Sequence, residues 1–158
     1  EPCLIINIFD IILTAYLCYS SIVKKIIMNT KLDKILAEIS AGELVDKITI
    51  LEIKKLKIKN KDKLSAVETE LYSLNETMKK FIPNQSQILE LRINLKNINL
   101  ILWDIEDGKR QLEKKKEFGE KFIDLARKVY KFNDERAKIK LTINKALGSN
   151  IKEVKSYE

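Results

Sequence analysis

The sequence predicts an all-α protein, a four-helix bundle-like arrangement of long antiparallel helices with a short C-terminal tail and a separate apolar N-terminal segment. Three observations predict this class. Only four Gly and two Pro occur among 158 residues, too few for the many turns of a β sandwich. Apolar residues recur three and four positions apart over long stretches. Capping and stop residues divide these stretches into four helices.

Residues 4–23 form a largely apolar run that two lysines follow. One interpretation is an inner-membrane anchor with the lysines on the cytoplasmic side, in which Asp10 would cost about 2.5–3.5 kcal/mol near the bilayer centre. The interpretation that we favour starts a cytoplasmic protein at Met28. Residues 1–27 are then translated upstream sequence, and residues 28–158 form the helical domain.

The first helix of that domain is predicted to begin after Ser40, which forms a Ser-x-x-Glu capping box with Glu43, and to continue to about Lys59. Its β-branched residues would also allow a strand, but the apolar period stays near 3.6 residues and favours a helix. Because the helix is apolar on two sides, we expect it to be central. The two faces comprise Leu44, Ile48, Leu51 and Ile58 on one side and Val45, Ile53 and Leu56 on the other.

A second helix is predicted over residues 63–81 and ends before Pro83. A third is predicted over residues 87–116, with Asn84 or Ser86 as its cap. The apolar stripe of the third helix comprises Leu91, Leu95, Ile98, Leu102, Ile105 and Leu112.

Gly108 lies inside the third helix, where it is expected to kink or weaken it. Phe118-Gly119 is predicted to make the turn into a fourth helix over residues 120–147. Gly148 suits the left-handed residue that ends many helices. The tail, residues 149–158, offers two apolar side chains for docking, Ile151 and Val154.

The fourth helix carries a row of polar residues within its apolar stripe instead of opposite it. At about 100° per residue, the row continues the face that Phe122, Leu125 and Val129 define. Polar groups on a buried face must be satisfied by partners. The row consists of Asn133, Arg136, Lys140 and Asn144.

In an antiparallel hairpin of the third and fourth helices, positions equidistant from the turn face each other, so Glu106 would lie near Tyr130 and Asn133. One interpretation is a polar pocket that binds an anion. The other, which we favour, is an internal network in which Glu106 pairs with Arg136 or Arg127. The ligand-binding candidates are Arg127, Tyr130, Asn133, Arg136, Lys140, Asn144 and Glu106, with Asp46, Glu52 and Lys54 from the first helix.

The net charge of +7 comes from 30 basic and 23 acidic residues, and 26 of the basic residues are lysines. Nucleic-acid binding is disfavoured because no aromatic-basic motif accompanies the charge. The chain contains no His, and Cys3 and Cys18 lack metal-ligand spacing, so we expect neither a metal site nor a cofactor.

Three segments together resemble a bacterial domain family of unknown function: GELVDKITILEIK, NLILWDIED, and the long closing stretch that starts FGEKFIDLARKVYKFNDERAKIK. The resemblance covers about residues 28–158. It implies a small cytoplasmic helical protein, in a family sometimes linked to genes for glycosyltransferases and tetratricopeptide proteins. It implies no activity.

The function predicted from these observations is a non-catalytic helical binding or adaptor module. The resemblance implies that it is accessory to glycan biosynthesis, and the pocket interpretation of the polar row adds an anionic, phosphate-bearing ligand in a polar interhelical site. A protein partner in glycan biosynthesis and an anionic small molecule are the expected partners, and a membrane only if residues 1–27 are genuine. One alternative is a small all-helical enzyme with chorismate-mutase-like chemistry on a dianion. Another is RNA or DNA binding through the basic surface.

Overall fold

The structure, a computed structural model, describes residues 8–28 and 35–151, and every regular element in these ranges is helical. The predicted all-α class is therefore confirmed. The chain divides into two units, Glu1–Ala37 and Glu38–Glu158. The helices are α1 (Ile8–Met28), α2 (Ala41–Lys57), α3 (Lys61–Phe81), a 3-10 turn (Gln85–Ile88), α4 (Leu89–Lys115) and α5 (Glu120–Ala146).

Helix α1 belongs to the first unit, and its large apolar side chains are exposed where they are described, as at Ile12, Tyr16 and Leu17. Residues 4–7 of the apolar run lie outside the described residues. No helix in the described ranges combines the length and the apolar character that crossing a membrane requires.

Helix α2 is the central element of the second unit, as its two apolar faces predict. It packs against α3, α4 and α5, whereas α3 packs against α2 and no other described α-helix. Ser40 caps its N terminus, because the hydroxyl accepts a hydrogen bond from the backbone N–H of Glu43 at 3.1 Å. The strand allowed by the β-branched residues is excluded, since Asp46–Lys54 is helical.

The predicted cap of the third long helix is wrong. Neither Asn84 nor Ser86 caps it, because the Ser86 hydroxyl donates to the Asn84 side chain at 2.6 Å and the chain first forms a 3-10 turn. Helix α4 starts after that turn, at Leu89. Helix α3 starts two residues earlier than predicted, with Asn60 as its side-chain cap.

Helices α4 and α5 form a hairpin, and their packing explains Gly108. A Cβ there would lie 3.1 Å from Leu125 Cδ1, so the glycine allows α5 to approach α4 closely. Helix α4 continues through Gly108 to Lys115. The left-handed residue that ends α4 is Lys116, at φ 60°, and Gly148 takes the same role after α5, at φ 63°.

The core of the second unit comes from all four α-helices and the segment between α3 and α4. Met78 from α3 and Leu95 from α4 meet the buried face of α2. The core cluster consists of Leu44, Val45, Ile48, Met78, Ile82, Ile88, Leu95 and Ile143. All of these residues lie in the second unit.

Removal of residues 1–27 is therefore expected to leave a helical domain that melts cooperatively. Circular dichroism and thermal melts of the shortened and full chains provide the measurement. A shortened chain that loses cooperative melting would show that the first residues belong to the domain core.

Candidate functional site

The polar row of α5 lies against the first half of α2. Successive contacts run antiparallel: Gly42 meets Asn144, Glu43 meets Lys140, and Asp46 meets Arg136. The row residues lie about one helical turn apart on α5, so each of them contacts a different residue of α2. The row is thus directed into an interface between helices.

A buried ion pair lies at the centre of this interface. The Asp46 residue is 1% exposed, and its carboxylate binds the Arg136 guanidinium at two points. Arg136 Nε donates to Asp46 Oδ1 at 2.8 Å, and Nη2 donates to Oδ2. In this bidentate geometry, the planar guanidinium of arginine presents parallel donors to the two carboxylate oxygens. A lysine carries its charge on a single nitrogen and does not offer that geometry.

Helix α4 contributes Asn99 to the same carboxylate. Asn99 Nδ2 donates to Asp46 Oδ1 and to Thr49 Oγ1, each at 2.9 Å. The Thr49 hydroxyl donates in turn to the Asp46 backbone carbonyl at 2.8 Å. These three residues and Arg136 join α2, α4 and α5 through one carboxylate.

Lys140 and Glu43 form a second ion pair, closer to the surface. Lys140 Nζ lies 2.5 Å from Glu43 Oε2. The lysine side chain is 9% exposed and the glutamate side chain 47% exposed. A nearly buried ammonium group is therefore covered by a carboxylate that reaches solvent.

The first turn of α2 is capped by α5 and by the residues that follow it. Asn144 Oδ1 accepts a hydrogen bond from Gly42 N at 2.6 Å, and Ser149 Oγ accepts one from Ala41 N at 3.3 Å. Gly42 is required for this approach, because a Cβ there would lie 2.5 Å from the Lys140 carbonyl oxygen. The α2 N terminus and the α5 backbone are therefore in direct contact.

Within the described residues, no buried side-chain nitrogen or oxygen lacks a hydrogen-bond partner. The buried atoms of the interface are thus satisfied inside the domain, as buried polar networks require. We call the contacts of Gly42, Glu43, Asp46, Thr49 and Asn99 with one another and with the α5 row the interhelical lock.

The prediction that Glu106 pairs with Arg136 or Arg127 was wrong. Arg136 binds the Asp46 carboxylate, whereas Glu106 pairs with Lys109 at 3.0 Å. The physical reason is the position of α2, which packs against both α4 and α5 and presents its own carboxylate to Arg136. At this level α4 supplies an amide, Asn99.

The ten candidate residues do not form a single cluster of direct contacts. Asp46, Asn133 and Arg136 come together, with Asn133 Oδ1 3.5 Å from Arg136 Nη1. Lys140 and Asn144 follow along the same interface. The Arg127 and Tyr130 side chains are exposed on α5, and Lys54 is half-buried near the end of α2. Glu52 pairs with two residues of α4, Arg92 at 2.5 Å and Lys96 at 2.8 Å.

The candidate list omitted Asn99 and Gly42. Asn99 lies four residues after Leu95 and three before Leu102, so it occupies an apolar position of its helix as the α5 row does. That spacing could have identified it. The close approach at Gly42 has no such signal, since it depends on how two helices cross.

Two further features bear on ligands. A shallow groove of about 490 Å³ on α4 shares no residue with the interhelical lock. It is lined by Asp107, Arg110, Gln111, Glu113 and Lys114. Within residues 8–28 and 35–151, no three His, Cys, Asp or Glu side chains group closely enough to hold a metal ion.

Comparison with known families adds a match over most of the chain. The family of unknown function DUF6165 matches residues 35–158. The chain belongs to the DUF6165 family. No curated protein and no solved structure matches it. Every residue of the interhelical lock lies within residues 35–158, the part of the chain that matches the DUF6165 family.

Gly42→Ala tests the close approach of α2 and α5. The new methyl group would meet backbone, which cannot move aside as a side-chain end can, so we expect a loss of about 1–3 kcal/mol in the free energy of unfolding. Gly119→Ala is the control for a methyl group added in open space, because nothing lies within 4 Å of its Cβ position; as the N-cap residue of α5 it should lose about 1 kcal/mol or less. Urea melts measure both variants. Equal effects of the two substitutions would contradict the predicted contact.

A double-mutant cycle tests the central ion pair. Arg136→Ala leaves the buried Asp46 carboxylate without its positively charged partner, for which we expect a cost of about 3–5 kcal/mol. Arg136→Ala with Asp46→Ala should cost less than the two single substitutions together. Glu106→Gln is the control, and its effect should add to that of Arg136→Ala, since Glu106 pairs with Lys109. Additive effects of the Asp46 and Arg136 substitutions in denaturant melts would rule out the pair.

Proposed function

We propose that the domain is a non-catalytic helical binding module in which the interhelical lock fixes α2 against α4 and α5. The observation that carries this proposal is the buried Asp46 carboxylate, which Arg136 binds at two points and Asn99 at a third. Groups committed to each other in the interior favour one packing arrangement over others that would leave them unpaired. The lock thus serves as a frame.

A rigid frame leaves partner binding to the outer surface. The partner class that the sequence resemblance implies, a protein of glycan biosynthesis, is part of this proposal. We favour this module over the chorismate-mutase-like enzyme, because that chemistry needs arginine to bind a dianionic substrate. Here the Arg136 guanidinium binds Asp46.

A second function is supported by the Lys140–Glu43 pair. A phosphate-bearing metabolite that displaced the half-exposed Glu43 carboxylate would keep the nearly buried Lys140 ammonium paired. In this form the module holds a small anion at the edge of the lock.

A thermal-shift screen distinguishes the two functions. A ligand at about one hundred times its Kd adds about 2.7 kcal/mol to the free energy of unfolding, which is readily visible in a melt. The panel contains inorganic phosphate, phosphorylated sugars, nucleotide sugars and dicarboxylates. A purely structural lock predicts no shift with any of them.

An anion site at Lys140 predicts a shift that disappears in Lys140→Met. The control is Lys138→Met, an exposed lysine of the same helix, which should keep the shift. A shift that persists in Lys140→Met would exclude the anion site. A shift that only Lys140→Met abolishes would show that the lock is also a binding site.

A further inference from the structure

The positive charge of the helical domain is concentrated at one connection. Residues 38–158 contain 26 basic and 20 acidic residues, a net charge of +6. Residues 54–63, KKLKIKNKDK, contain six lysines and one aspartate and so account for +5. Lysine-rich composition in general does not explain this distribution, because lysines elsewhere in the domain are balanced by carboxylates. We call residues 54–63 the lysine corner.

The lysine corner joins the end of α2 to the start of α3, and most of its lysines have no ion-pair partner within the described residues. Lys55 pairs with Glu68 at 2.9 Å and Lys57 with Asp104 at 3.1 Å. No carboxylate of the described residues lies within ion-pair distance of the other four. Those four are Lys54, Lys59, Lys61 and Lys63.

Two of these unpaired lysines stand where a helix disfavours positive charge. Lys61 and Lys63 lie in the first turn of α3, at the positive end of its dipole, where carboxylates are stabilising. The lysines in the last turn of α2, by contrast, complement the negative end of that helix. Helix stability therefore explains the lysines at the end of α2 but not those at the start of α3.

The corner also exposes an apolar side chain among its charges. Leu56 lies between Lys55 and Lys57 and is 78% exposed. A free phosphate or a nucleic-acid backbone would attract the lysines but offer nothing to Leu56. An anionic bilayer surface satisfies both features, since its negative potential attracts lysines and its acyl boundary accepts an apolar side chain.

We infer that the lysine corner is a contact surface for bilayers that carry anionic phospholipid headgroups. Lysine suits this role, because attraction to a charged surface needs no fixed bond geometry, in contrast to bidentate recognition by arginine. Each unpaired lysine near such a surface strengthens binding about fivefold. Leu56 adds a contact that does not depend on salt. The inference is independent of whether the interhelical lock binds a ligand.

Vesicle sedimentation with the full chain tests the inference. The probe is a vesicle of phosphatidylcholine with about one third phosphatidylglycerol, compared with pure phosphatidylcholine at about 0.05 M and 0.5 M NaCl. We expect stronger binding to the anionic vesicles than to the neutral ones, and we expect the difference to shrink at the higher salt concentration. Leu56→Ser should reduce binding and leave its salt dependence unchanged.

Lys61→Glu with Lys63→Glu should reduce vesicle binding about thirtyfold or more, from the loss of the two lysines alone. These changes place carboxylates in the first turn of α3, where they favour the helix, so lost binding would not reflect lost folding. Lys121→Glu with Lys131→Glu is the matched control. It makes the same charge change at two exposed lysines of α5.

Binding that the corner variant loses and the control variant keeps supports the inference. Equal loss in both variants would overturn it in favour of net charge alone. Binding unchanged in the corner variant would also overturn it. If the full chain binds no vesicles but binds polyglutamate through the corner, the partner is an acidic protein segment and the bilayer is excluded.

Discussion

The structure of the helical domain depends on placing the Asp46 carboxylate in its interior. Removing a carboxylate from water costs several kcal/mol, and only close partners can offset that cost. Arg136 from α5 and Asn99 from α4 are those partners, so one side chain of α2 sets the positions of two other helices. An apolar residue at position 46 would not require polar partners from α4 and α5 at fixed positions.

The contacts around Asp46 explain why polar residues occupy apolar positions in two helices. Asn99 interrupts the stripe of α4 and Arg136 interrupts that of α5, each at the level of the same carboxylate. Toward the start of α2, Lys140 and Asn144 contact Glu43 and Gly42 in turn. The interface thus pairs a polar stretch of α2 with the polar row of α5.

Helical periodicity predicted the parts of this arrangement that lie within one helix. The α5 row, the central position of α2 and the stop at Gly148 all follow from local spacing and propensity, and all are confirmed. The predicted partner of Arg136 was wrong, because the actual partner depends on how α2 packs against the hairpin of α4 and α5. The spacing of residues along one helix does not encode that packing. The start of α4 was misplaced because side-chain bonding between Ser86 and Asn84 replaced a cap.

The two ends of α2 differ in their electrostatics. Its first half takes part in the internal structure of the domain, and its end presents charge to solvent. Near its start, charges are buried and matched, as in the pair of Asp46 with Arg136. At its other end, four of the six lysines of the corner have no ion-pair partner among the described residues. Asp46 and Lys54, the first lysine of the corner, are eight residues and so about 12 Å apart along this helix, more than the screening length of about 8 Å at physiological salt. An anion that neutralises the lysine corner would leave the lock intact, so one helix can hold the domain together and also present its charge to a partner.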